Sequence, residues 1–257
     1  MNGSRIGLLF AAGFVAGLMN AIAGGGTIVT FPALIFAGIS SIGANATSTV
    51  ALLPGTLAGV AGYRRMLPAV WKWIRMFSVV SIVGGLVGAV LLTKTPELVF
   101  NRLVPYLILF ATILFTARGF FTRLFHVEAR RSISPRWLIT AVVFQTLVSI
   151  YGGYFGAGIG ILMLASLGML GFENIHEMNA VKNVLAFLIN AIAAGYFIYK
   201  GLILWPAAGI VAAGAIAGGY SGAHFSQKVP QLAVRFSITA IGLLITAVMF
   251  YKQLRGS

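Results

Sequence analysis

Long apolar runs separated by short polar turns set the pattern of this chain. No Asp, Glu, Lys or Arg occurs between residues 6 and 63. Further charge-free runs cover 76–93, 103–117, 137–172, 183–199, 201–223 and 236–251. As a single helix the first run, 58 residues long, would reach about 87 Å at 1.5 Å per residue. A hydrocarbon core is only about 30 Å thick, so that run folds back on itself inside a bilayer. Gly24-Gly25-Gly26-Thr27 marks where the first apolar helix breaks, because glycines release backbone angles a regular helix does not use. In hydrocarbon such a break exposes backbone amides, tolerated only against protein or a polar cavity.

The pattern repeats. A gapless offset of 134 residues places Gly24 and Gly26 on Gly158 and Gly160, Asn45-Ala46 on Asn179-Ala180, and Trp71 on Trp205. The same offset places Gly84, Gly85 and Gly88 on Gly218, Gly219 and Gly222, Pro96 on Pro230, Phe10 on Phe144 and Thr112 on Thr246. Glycine matches are common between membrane helices, but Trp, Asn and Pro matches in one register point to duplication. Each half predicts an apolar helix (6–23, then 137–155), a glycine break, a short apolar segment (27–38, then 159–171) and a polar-striped helix (44–62, then 178–198). A Gly-rich helix (73–93, then 205–225) and a last helix (98–117, then 232–251) complete the unit. The expected fold is an all-α polytopic membrane protein. It has two tandem repeats of four full spans, each with a short broken or re-entrant helix, giving 8–10 membrane segments. The repeats are assigned to 1–125 and 137–257, with a basic cytoplasmic linker at 126–136. A re-entrant short segment makes the halves parallel, and a spanning one makes them inverted. The positive-inside rule separates these arrangements by a single charge, so both stay open.

Candidate chemistry sits on the helix after each break. Asn45, Ser48, Thr49 and Thr56 in the first half, and Asn179, Lys182, Asn183 and Asn190 in the second, share the spacing i, i+3, i+4, i+11, which places each set on one helical stripe. Interhelical hydrogen bonding explains a single Ser or Thr in a membrane helix at about 0.6 kcal/mol per pair. It explains poorly an Asn-rich stripe that carries a lysine, since a lysine within a span costs about 2.5 kcal/mol or more and usually faces a functional cavity. Snorkelling toward the charged turn at 173–177 is the rival account of Lys182. Gly24, Gly25, Gly26, Gly156, Gly158 and Gly160 complete the candidate binding positions, through amides and helix amino ends that favour an anion.

Composition narrows the alternatives. Hydrophobic residues make up 59% of the chain and charged residues 9%, against about a quarter charged in a soluble domain. Without cysteine, disulfides, thiol catalysis and Cys-ligated metals are excluded. The net charge of +14 lies largely in two loops, one with Arg64, Arg65, Lys72 and Arg75, the other with Arg118, Arg123, Arg130, Arg131 and Arg136. Orientation in the membrane and contact with anionic headgroups account for it without nucleic acid. There is no aspartate, and the four glutamates (Glu97, Glu128, Glu173, Glu177) fall in predicted turns, which disfavours a cation carrier built on a buried carboxylate. Gly84-x-x-x-Gly88, Gly214-x-x-x-Gly218 and Gly218-x-x-x-Gly222 read as close-packing faces. Gly219-Tyr220-Ser221-Gly222 matches a serine-protease pattern, but its glycines recur at Gly85 and Gly88 with Val87 in place of the serine, and His224 is on the same helix. His176-Glu177 lacks the second histidine of a zinc site, with Ala180 in that place. No enzyme, metal or cofactor is expected.

The stretches Gly24-Gly25-Gly26-Thr27 with Phe31-Pro32, and Ala44-Asn45-Ala46-Thr47-Ser48, resemble the first repeat of the TauE/SafE family of sulfite exporter (TSUP-type) permeases. Tyr151-Gly152-Gly153-Tyr154-Phe155-Gly156-Ala157-Gly158-Ile159-Gly160, Asn179-Ala180-Val181-Lys182-Asn183 and Trp205 resemble its second repeat. The resemblance covers nearly the whole chain and departs mildly in the Gly-Gly-Gly-Thr run. It implies a duplicated helical permease for sulfite, sulfonates or related organic anions, with Asn45, Thr47, Ser48, Asn179, Lys182 and Asn183 at motif positions. The expectation is a secondary transporter and exporter of small anions in the cell inner membrane, using alternating access between two repeats, with protons as a candidate coupling ion. A passive anion channel is the alternative.

Overall fold

The computed structural model describes residues 2–22, 25–116, 135–170, 172, 174–225, 239–240 and 242–251. Among the described residues the chain forms ten helices: α1 Gly3–Ile22, α2 Thr27–Phe36, α3 Ser41–Gly62, α4 Leu67–Lys94, α5 Glu97–Thr116, α6 Pro135–Tyr154, α7 Ile159–Met169, α8 Ile175–Tyr199, α9 Trp205–Phe225 and α10 Gly242–Tyr251. No strand occurs among the described residues. Among the described residues four helices are long and apolar enough to cross a membrane, within Gly3–Asn20, Leu67–Lys94, Glu97–Leu114 and His176–Tyr199. The linker residues 126–134, with Arg130 and Arg131, lie outside the described residues, as do Arg118 and Arg123.

Helix ends follow local chemistry. The first three amides of α3 are all capped by side chains. Glu97 Oε1 accepts from Ser41 N at 2.5 Å and Ile42 N at 3.3 Å, and Ser40 Oγ accepts from Gly43 N at 3.3 Å. A carboxylate there also meets the positive end of the helix dipole. Glu97 opens α5, so this cap ties the starts of α3 and α5 together. Asn174 Oδ1 caps α8 by accepting from His176 N at 2.9 Å. Along α4, Val79, Val83 and Val87 are exposed while Gly84, Gly85 and Gly88 are buried, the division expected of a lipid-facing and a packing face. Trp71 and Trp205, equated by the 134-residue offset, are both exposed near helix starts, where indole rings suit a membrane interface.

Close glycine contacts fix the helix directions. A Cβ on Gly13 would lie 2.3 Å from the Val211 carbonyl oxygen, one on Gly17 would lie 2.1 Å from that of Ala215, and one on Gly218 would lie 1.9 Å from that of Phe14. Thus α1 and α9 run side by side in the same direction with backbones nearly touching. In the same way Gly84 meets Ser149 and Gly88 meets Ile150 and Tyr154, making α4 parallel to α6. Gly85 meets Ile189 and Ile192, and Thr93 Oγ1 donates to the Tyr196 hydroxyl at 3.4 Å, making α4 parallel to α8. Leu204 N donates to Thr47 Oγ1, and further on Ala215 packs with Leu52, so α9 follows α3. Finally α3 opposes α8. Asn183, near the start of α8, donates to Gly59 O near the end of α3, while Ala193 and Phe197 share a core with Ala44, Ala46 and Ala51.

Hence α1, α3 and α9 point one way and α4, α6 and α8 the other. Three of the pairs that the offset equates, α1 with α6, α3 with α8 and α4 with α9, are opposed in direction. Of the two arrangements the sequence leaves open, these directions match the inverted one. The short segments need not span for this to hold: α2 has 10 residues and α7 has 11, about 15 Å each, half of a hydrocarbon core. Instead α1 and α2 form a hairpin, with Gly38 beside the Arg5 guanidinium at its open end and Gly26 against Ala16 and Asn20 near its tip.

Because the chain has no cysteine, single cysteines report topology cleanly. Arg65→Cys and Lys200→Cys, both at exposed turns, are expected to react with an impermeant maleimide from opposite membrane faces, and Lys94→Cys from the same face as Lys200→Cys. Labelling of Arg65→Cys and Lys200→Cys from one face would reject the inverted arrangement. Gly218→Val is expected to destabilise by about 1–3 kcal/mol or more through overpacking, measured by melting in detergent. Gly209→Ala, which meets nothing within 4 Å, serves as the neutral comparison.

Candidate functional site

Both breaks are built from glycines in conformations closed to other residues. Gly25 has φ of 93°, Gly156 of 79° and Gly158 of 80°, a left-handed region that a Cβ penalises. Gly24 lies outside the described residues. At the first break the Gly26 amide donates to Asn20 Oδ1 at 2.9 Å, so α1 satisfies an amide expected to face a ligand. At the second, the Tyr151 hydroxyl donates to Ala157 O at 2.7 Å, and Gly158 caps α7 without a side-chain partner.

The two polar stripes divide into groups. In the first, Asn45 Nδ2 donates to Tyr154 O at 3.0 Å, reaching from α3 to the end of α6. Asn190 Oδ1 lies 3.9 Å from where a Cβ on Gly156 would stand, which brings it to the same break. One turn along α3 the Ser48 and Thr30 hydroxyls share a hydrogen bond of 2.6 Å, and Thr30 Oγ1 also donates to Gly26 O at 3.3 Å. Asn45, Thr30 and Ser48 are all buried. Asn45 Oδ1, only 1% of whose residue surface is exposed, has no hydrogen-bond partner among the described residues. A buried acceptor left so costs about 1–3 kcal/mol.

In the second group Lys182 Nζ donates to Asn179 Oδ1 at 2.9 Å. The aliphatic stem of Lys182 packs over the first turn of α7, its Cδ lying 3.4 Å from where a Cβ on Gly160 would be. A larger residue than glycine would crowd that stem. Asn183 bonds Gly59 O at 3.4 Å. Since Asn45 and Gly59 are fourteen residues apart on α3, about 21 Å along a helix, Lys182 and Asn45 stand near opposite ends of the α3–α8 crossing. The antiparallel packing therefore spreads the two stripes along the helix pair instead of gathering all of them around one small ion.

Other sequence candidates serve the fold. Thr47 Oγ1 accepts from Leu204 N at 3.1 Å and so anchors the segment before α9. Thr49 and Thr56 donate to the carbonyls of Asn45 and Leu53 within their own helix. Ser221 Oγ donates to Ala217 O at 2.9 Å, a helical back-bond in keeping with a packing role. Asn20, Thr30, Glu97 and Tyr154 escape a reading by stripes. Glu97 stands at the end of an apolar run, where an isolated polar residue is a signal of capping, whereas Asn20 lies within the first run and the Thr30–Ser48 pair depends on a fold-back no spacing rule anticipates. No group of three or more His, Cys, Asp or Glu able to hold a metal occurs among the described residues.

Residues 9–249 match the family described as Sulfite exporter TauE/SafE. The chain is similar to a probable membrane transporter protein of Haemophilus influenzae, 28% identical over 96% of this chain and 95% of that one. It is also similar to the probable membrane transporter protein ORF9 of a Sinorhizobium species, 28% identical over 86% and 83%. The probable membrane transporter protein YfcA of Escherichia coli K12 is 25% identical over 96% and 90%. No solved structure matches.

Thr47→Val is expected to cost about 1–3 kcal/mol, by leaving the Leu204 amide unpaired, and Thr47→Ser to restore most of it. Thermal melting of both purified variants measures the difference.

Proposed function

From the premise that this chain belongs to the sulfite exporter TauE/SafE family of membrane transporters, we propose a secondary transporter that carries small anions outward. Sulfite, organosulfonates and related organic anions are its substrate class. The carrier works by alternating access between the two inverted halves, and the protein sits in the cell inner membrane. Its more basic face, with the Arg64 and Arg65 turn, lies in the cytoplasm against anionic headgroups, in line with the charge bias of the loops.

The observation that carries the proposal is the position of Lys182. Its stem crosses Gly160 at the amino end of α7, so an ammonium lies near a helix end whose amides and dipole are both positive,. Among the described residues the only acids are Glu97 and Glu177, each in the first turn of its helix. A carrier of cations through carboxylates has little material here, whereas an anion meets Lys182 and the amides of Asn179 and Asn183. The glycines at 156 and 158 then supply the hinge that opens and closes around it.

Lys182→Met is expected to lower concentrative sulfite or organosulfonate flux in proteoliposomes by roughly tenfold or more, the scale of one hydrogen bond to a charged group. Lys182→Arg should retain part of it. Normal transport by a folded Lys182→Met protein would remove the lysine from the mechanism, and flux that cannot be driven against a gradient would identify a passive channel instead.

A further inference from the structure

The offset that equates the halves also equates two asparagines with opposite fates. In the second half Asn179 Oδ1 accepts from the Lys182 ammonium at 2.9 Å. In the first half the equivalent acceptor, Asn45 Oδ1, has no partner among the described residues although it is buried. The reason lies at the next position of the stripe. Residue 48 stands where Lys182 stands in the other half, but it is a serine, and its hydroxyl is engaged with Thr30 Oγ1 at 2.6 Å. The amide cannot rotate to relieve its oxygen, because Nδ2 is committed to Tyr154 O at 3.0 Å.

The next turn of α3 carries a chain of hydroxyl and carbonyl oxygens. Ser48 Oγ is one turn away on the same face of α3, Thr30 Oγ1 is bonded to it, and Gly26 O accepts from Thr30 at 3.3 Å. All of these oxygens are uncharged, and none comes from a carboxylate. Such a set has too little charge for a divalent ion, which usually takes carboxylates. It suits a monovalent cation, as carbonyl oxygens at broken membrane helices suit sodium.

We propose that Asn45 Oδ1, with the Ser48 and Thr30 hydroxyls, binds a small monovalent cation in the position that the second half fills with its own lysine. The first half thus takes from solution the charge that the second half carries covalently. Sodium and an ammonium group share the required chemistry. The role of this cation as the coupling ion rests on the anion-carrier reading, but its binding does not.

The test is the melting temperature of the purified full chain in sodium, ammonium and choline chloride at equal concentration, without any organic anion. Sodium or ammonium, whichever is the ligand, is expected to raise the melting temperature over choline on the order of 3 °C at saturation. Ser48→Lys supplies a tethered ammonium and is expected to melt alike in all three salts, and Asn45→Leu is expected to lose the increment. Equal melting of the wild type in all three salts overturns the proposal, as does an increment that survives in Asn45→Leu. A cation shift without sulfite or sulfonate flux would leave this site standing and reject the anion carrier. Flux without a cation shift would do the reverse.

Discussion

Hydrocarbon offers no hydrogen bonds, so a helix that breaks inside a membrane must satisfy its loosened backbone from its own protein. That constraint organises both halves of this molecule. At the first break Asn20 takes the Gly26 amide, and at the second the Tyr151 hydroxyl holds the Ala157 carbonyl while Asn45 holds that of Tyr154. Each of these side chains is fixed in turn by close helix packing. The breaks therefore persist as built features with short helices folded back beside long ones.

The same closeness makes the bundle cohere. Backbone-to-backbone contact through Gly13, Gly17, Gly214 and Gly218 on one side, and through Gly84, Gly88 and Gly153 on the other, leaves no room for side chains between the paired helices. Dispersion over such faces, rather than exclusion of water, is what holds helices together in lipid. Into the second of these interfaces is set a buried polar group, Gln145 bonding Ser81 at 3.1 Å and Ser149 at 3.4 Å. It has no counterpart in the first, since the offset equates Gln145 with Ala11.

Much of this was legible in the sequence because hydrocarbon imposes simple rules. Helix positions follow from charge-free runs, and the glycine faces follow from Gly84 and Gly88 recurring at Gly218 and Gly222. The break at Gly156–Gly158, given by number in the pattern, appears as two left-handed glycines. What the sequence withheld is tertiary. Nothing in the spacing of Asn45 and Lys182 reveals that α3 and α8 cross in opposite directions, because a stripe gives a face and not a partner. Charge bias could not choose the topology, since the alternatives differ by one residue. The Asn45–Tyr154 bond joins residues 109 apart, a pairing that only the folded chain defines.

The packing of α4 on α6 and α8, and of α9 on α1 and α3, means that the halves of the sequence are not the halves of the object. Each lobe is completed by a helix lent from the other end of the polypeptide. Severing the chain between α5 and α6 would cut the thread without parting the cloth, since two strands of it still pass each way through the weave. Each packed lobe is therefore of mixed parentage.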